Sequence, residues 1–131
     1  MINFSEISKY SPLLLRIGIA FVFFWFGISQ LLSPLQWTGL LPAFTYSLPV
    51  AQTTIIYING TFEVLFATLL LLGFYTRAVS FLLGLHLLMI SYNLGYGPTA
   101  IRDLALAIVT FAIFLRGPDE FCLDKHMARK E

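Results

Sequence analysis

Few residues in this chain can do chemistry, and most of them lie in apolar surroundings. Glu63 stands alone in "INGTFEVLFATLLLLGF", residues 58–74. His86 sits in a second apolar run, and the adjacent pair Arg102-Asp103 opens a third. An ionisable group in a bilayer costs several kcal/mol unless it is paired, hydrated or neutralised, so by default it faces a protein interior. A buried carboxyl beside an imidazole can hold and pass protons, because burial and neighbours move both groups towards neutrality. A guanidinium beside them can stabilise developing negative charge. Each residue also has a plainer reading. Glu63 can be a protonated or salt-bridged packing residue, His86 a satisfied interior histidine, and Arg102-Asp103 a helix cap.

The elements that position these groups follow from composition. Of the 131 residues, 58% are hydrophobic and only 11% charged, against about 25% charged in an ordinary soluble domain. Mean hydropathy is +0.82. Four segments reach the roughly 20 apolar residues that a spanning helix needs: 12–32, 53–73, 77–96 and 100–116. Apolar runs of this length have no soluble home, so the expected fold class is all-α, an integral membrane four-helix bundle forming one domain. The first segment has no small-x-small cleavage site after it and reads as a retained helix, not a signal peptide.

Spacing then sets depth. At about 1.5 Å per residue, Glu63 lies about 15 Å into the second helix and His86 about 14 Å into the third from the opposite side. Both fall near mid-membrane. Asn59 precedes Glu63 by one turn, and Asn93 follows His86 by two, so each shares its neighbour's face. Gln30, Arg102 and Asp103 lie at the same end, with Tyr57, Tyr92 and Tyr96 at the rim. Asn59 and Asn93 read either as interhelical hydrogen-bond glue or as contacts to a ligand.

Lysine and arginine placement orients the bundle. Lys9, Arg16, Arg77, Arg116, Lys125, Arg129 and Lys130 fall at one end; only Arg102 falls at the other. The expectation is cytoplasmic N and C termini, with residues 117–131 as a short charged tail. Arg16 is expected to snorkel, and Gly18 and Gly27 to let helices approach. The uncharged loop 33–52, carrying Pro34, Trp37, Pro42, Phe44, Tyr46 and Pro49, is then extracytoplasmic. It is either an interfacial anchor or a lid. Gly73 should cap the second helix and Thr99 the fourth. "NFSEISKY" reads as an interfacial piece anchored by Tyr10.

Several function classes fit poorly. The single cysteine, Cys122, forms no disulfide within a chain and no CxxC motif. Cys122, Asp124 and His126 alternate, but a zinc site needs more ligands and clearer spacing. No haem, dinucleotide or Walker motif is visible, and a net charge of +1 gives a nucleic-acid partner no support. The expectation is therefore no metal, no haem and no nucleic acid.

Four fragments in order, "LRIGIAFVFFWFGISQL", Glu63 with "LLLLGFYTR", Arg102-Asp103 and "GPDEFCLD", resemble the DoxX family over residues 13–124. That family comprises small four-helix membrane proteins and includes the DoxD-type subunits of thiosulfate:quinone oxidoreductase. The resemblance singles out Glu63, Arg77, Arg102-Asp103 and Cys122–Asp124, and it implies the prokaryotic cytoplasmic membrane. Gln30 stands where the family often has lysine, which removes a positive charge from a site for an anion such as thiosulfate. Cys122 stands where serine is common. The implied function is a membrane subunit of a quinone-linked oxidoreductase. Glu63 and His86 would relay protons, and Arg102, held by Asp103, would stabilise charge. Gln30, Trp37, Asn59, Asn93 and Tyr96 would contact the quinone head. Phe21, Phe23, Phe24, Trp25, Phe26, Phe62 and Phe66 would line its slot. Membrane lipid, a second subunit or a homo-oligomer are the expected partners. The competing reading is a non-enzymatic accessory, assembly or lipid-binding protein; a transporter ranks last.

Overall fold

The computed structural model of the chain describes residues 3–130. Four long helices, α1 (Ser11–Leu32), α2 (Gln52–Leu72), α3 (Thr76–Leu94) and α4 (Pro98–Arg116), are each long and apolar enough to cross a membrane. A short α5 (Leu123–Ala128) follows, and one helical turn, Phe4–Ile7, precedes. Outward side chains such as Leu14, Phe21, Ile58 and Ile108 are exposed and apolar. In water this would be a liability; in a bilayer it is the lipid-facing surface.

The chain packs as two hairpins, α1 against α2 and α3 against α4, with thinner contact between them. Lipid tails are as apolar as leucine, so small residues decide how closely such helices approach. Gly27 and Gly60 do this for α1 and α2. A Cβ on Gly60 would lie 2.9 Å from the Gly27 carbonyl oxygen, and one on Gly27 would lie 2.9 Å from that of Gly60. Gly84 does it for α3 and α4, against the Phe111 ring. Gly18, expected to help, has nothing near its Cβ position; it faces away from the neighbouring helices.

The turns differ from expectation at two places. Gly73 caps α2 in the left-handed conformation (φ 71°), as expected of its position. Helix α4, however, begins at Pro98 with Gly97 before it, so Thr99 is inside the first turn and caps nothing. Proline at the first turn has no N–H to leave unpaired, and it starts the helix earlier. Likewise α3 stops at Leu94, because Gly95 takes φ 77°.

The largest correction concerns the tail. Residues 117–130 do not trail away but fold back on the end of the bundle; Glu131 lies outside the described residues. Arg16 does not snorkel. It is 2% exposed, and its Nε donates to Asp119 Oδ2 at 2.9 Å. Its Nη1 donates to the carbonyl oxygens of Leu70 (3.0 Å) and Leu71. Cys122 is fully buried against Gly73, where any Cβ would meet it at 2.6 Å. Asp124 caps α3 from a distance: its carboxylate accepts from the Tyr75 and Thr76 N–H groups and from Thr76 Oγ1, each at 2.8 Å. That geometry satisfies donors a helix start otherwise leaves open. Tyr10 stacks on Phe121 at 5.4 Å.

Candidate functional site

The Gly27–Gly60 crossing brings one turn of α1 against one turn of α2, and this sets the site. Gln30, a turn beyond Gly27, reaches Glu63, a turn beyond Gly60. Its Nε2 donates to Glu63 Oε2 at 3.1 Å. Asn59 Nδ2 donates both to Gln30 Oε1 (2.7 Å) and to Glu63 Oε1 (3.0 Å). From α3, His86 Nε2 lies 3.0 Å from Glu63 Oε1. Glu63 is 2% exposed. Two amide donors, from Gln30 and Asn59, and one imidazole nitrogen converge on its two oxygens. The His86 ring is held by Phe62 (centroids 5.0 Å apart) and Phe23 (6.4 Å). Its Nδ1 makes no hydrogen bond among the described residues.

This cluster borders a cavity of about 510 Å³ that reaches towards the α1–α2 loop. All four long helices contribute to its wall, and so do Trp37, Leu40, Leu41, Pro42, Phe44 and Thr45 of the loop. Most of the wall is apolar. Its polar groups are Gln30, Thr45, Asn59, Glu63, His86, Asn93, Thr99, Arg102 and Asp103. Arg102 binds Asp103 Oδ1 through Nε and Nη2, both at 2.9 Å. The carboxylate is buried while the guanidinium is half exposed and lies 5.4 Å from the centre of the Phe26 ring, a cation–π contact. Phe26 in turn meets Trp37 edge-on at 5.5 Å. The Trp37 Nε1–H is buried and has no acceptor among the described residues.

The structure therefore joins Gln30, Asn59, Glu63 and His86 into one hydrogen-bonded network and places Arg102-Asp103 as a second pair on the same cavity. Trp37 and Asn93 also line it, though the Asn93 amide donates to the Met89 carbonyl. Tyr96 does not belong: it is fully exposed, swung away by the Gly95 turn. Tyr57 and Tyr92 are also exposed and do not line this cavity. Among the expected aromatics, Phe23, Trp25 and Phe26 line the cavity, whereas Phe21 is exposed at 67% and Phe24, Phe62 and Phe66 pack into the core. Sequence reasoning missed the Arg16–Asp119 pair. The signal was present in the charge of Arg16 within an apolar run, which demands a partner when buried.

No curated protein and no solved structure matches the chain. The sequence model of one family does, over residues 11–94, taking in Gln30, Trp37, Asn59, Glu63, His86 and Asn93 and ending before Arg102. Four spanning helices built around this carboxylate, and a family match across most of the chain, have one reading: the protein is an integral membrane protein and belongs to the DoxX family.

Proposed function

We propose that the cavity receives the head group of a membrane quinone and that the chain serves as a membrane subunit of a quinone-linked oxidoreductase. The observation that carries this reading is an apolar, aromatic cavity of about 510 Å³ with a buried carboxylate paired to a partly buried imidazole in its wall. Pockets for ligands of drug-like size run to about 300–1,000 Å³ and pair apolar walls with a few fixed polar groups. The unpartnered Trp37 N–H supports the fit, since a carbonyl oxygen is the acceptor it lacks. When bound, a quinone supplies the two-electron chemistry, taking up two electrons and two protons; the electrons come from a partner protein or a small-molecule reductant.

The chain's own residues then have separate tasks. Glu63 fixes the orientation of His86 and stabilises it when charged. His86 takes up and releases protons through Nδ1, the ring atom not committed to Glu63. Gln30 and Asn59 hold the Glu63 carboxylate in register. Arg102, held by Asp103, offers positive charge at the rim. The walls exclude water, which strengthens each of these interactions.

The two tryptophans of the chain, Trp25 and Trp37, both line the cavity, so intrinsic fluorescence tests the proposal. A short-chain quinone should quench it saturably, and Glu63→Gln should weaken binding about tenfold, the loss expected of a charged hydrogen-bond partner. Absence of saturable quenching in the unmodified protein refutes the reading. The competing reading, a non-enzymatic lipid-holding protein, draws on the half-exposed Arg102, which suits a phosphate. Quenching by phospholipid but not by quinone would favour it.

A further inference from the structure

At the opposite end of the bundle a second, polar pocket of about 370 Å³ is lined by Lys9, Arg116, Pro118, Asp119, Glu120 and Lys125. We infer that this pocket binds the phosphate of an anionic phospholipid head group. Charge counting favours an anion. Asp119 is already neutralised by Arg16, so three cations face one remaining carboxylate, Glu120. Among the described residues, none of Lys9, Arg116 and Lys125 forms an ion pair. The folded tail supplies most of the pocket: it brings Lys125 to Lys9, which precedes α1, and to Arg116 at the end of α4.

Position favours a lipid over a free ion. The pocket lies where α4 leaves the apolar zone, beside the stacked Tyr10–Phe121 pair. The Tyr10 ring, apolar in its body and polar at its hydroxyl, suits head-group depth. Exposed Ile7 and Leu115, near the same end, offer apolar surface to acyl chains. Basic pockets at helix ends are suited to anionic head groups, and attraction to phosphate weakens with ionic strength.

The test uses the full chain in a zwitterionic detergent. Phosphatidylglycerol, phosphatidylcholine or inorganic phosphate is added, and lipid retention is read by native mass spectrometry with the unfolding midpoint alongside. The expected result is retention of phosphatidylglycerol with a raised midpoint, neither seen with phosphatidylcholine, and loss of both at high salt. The triple variant Lys9→Gln/Arg116→Gln/Lys125→Gln should bind about 100-fold more weakly, roughly fivefold per cation. Should the triple variant fold poorly, Lys9→Gln and Lys125→Gln, at exposed positions, each carry the fivefold expectation alone. Equal retention of the two lipids, unchanged binding in the variants, or an equal effect of inorganic phosphate at the same concentration overturns the inference.

Discussion

Replacing Asp119 by alanine should open the tail end of the bundle. The carboxylate accepts from Arg16 Nε at 2.9 Å, from Arg16 Nη2 at 3.4 Å and from the Phe121 N–H at 2.9 Å. Its removal leaves a guanidinium that is 2% exposed with, among the described residues, only the Leu70 and Leu71 carbonyls as partners. Breaking one side of a buried pair costs about 3–5 kcal/mol, because the remaining charge is uncompensated. Cys122 makes the loss measurable. It is the only cysteine and is fully buried, and burial first, opposed by the Thr76 hydroxyl and the Asp119 backbone, leaves its thiol pKa raised. A fluorogenic maleimide should therefore label the unmodified protein slowly. In Asp119→Ala the labelling rate should rise at least about 100-fold, one decade per 1.4 kcal/mol, and the unfolding midpoint should fall by at least about 10 °C. The double variant Arg16→Met/Asp119→Ala should recover most of both, since it removes the orphaned charge together with its partner. Equal labelling in Asp119→Ala and the unmodified protein would refute the idea that this pair holds the tail.

Three further outcomes follow from the same geometry. Although burial opposes ionisation of Asp119, Arg16 and the Phe121 N–H outweigh it and hold the carboxyl below its ordinary value of 3.8; the stabilisation is full above that value and is lost as pH falls below it towards the folded pKa, so acid titration of Cys122 labelling should show acceleration only below about pH 4. Gly60→Ala should cost about 1–3 kcal/mol, the usual penalty of overpacking, because its Cβ meets the Gly27 backbone at 2.9 Å; thermal unfolding reads this cost, and quinone quenching should weaken with it as Gln30 is pushed from Glu63. Asp124→Ala should destabilise by about 1–2 kcal/mol through loss of the α3 cap, seen as a lower midpoint with Glu63-dependent quenching retained.

Periodicity and depth made the four helices and the Glu63–His86–Asn59 grouping legible, because apolar length and a rise per residue are local quantities. Gln30 was legible as a polar residue at the same end but not as a partner of Glu63; that contact depends on the Gly27–Gly60 crossing. The aromatic faces were harder. A helix apolar on every side carries no periodic signal to separate lipid-facing Phe21 from cavity-facing Phe23. Tyr96 was misplaced because a single left-handed glycine, Gly95, breaks the register on which the expectation relied. The tail escaped because its partners, Arg16 with Asp119 and Thr76 with Asp124, are far apart in sequence and nothing local links them.

The buried Arg16 sets an order on biosynthesis. Its counter-ion lies 103 residues downstream, and at about 5–20 residues per second translation needs about 5–20 s to supply it. Through that interval α1 must hold an unpaired cation, with only water, head groups or the α2 carbonyls to satisfy it. Stop codons between positions 95 and 118 would therefore release a chain with three or four complete long helices and a permanently orphaned charge. Such a product should be a marked substrate for membrane proteases, while chains ending just after α5 should escape them.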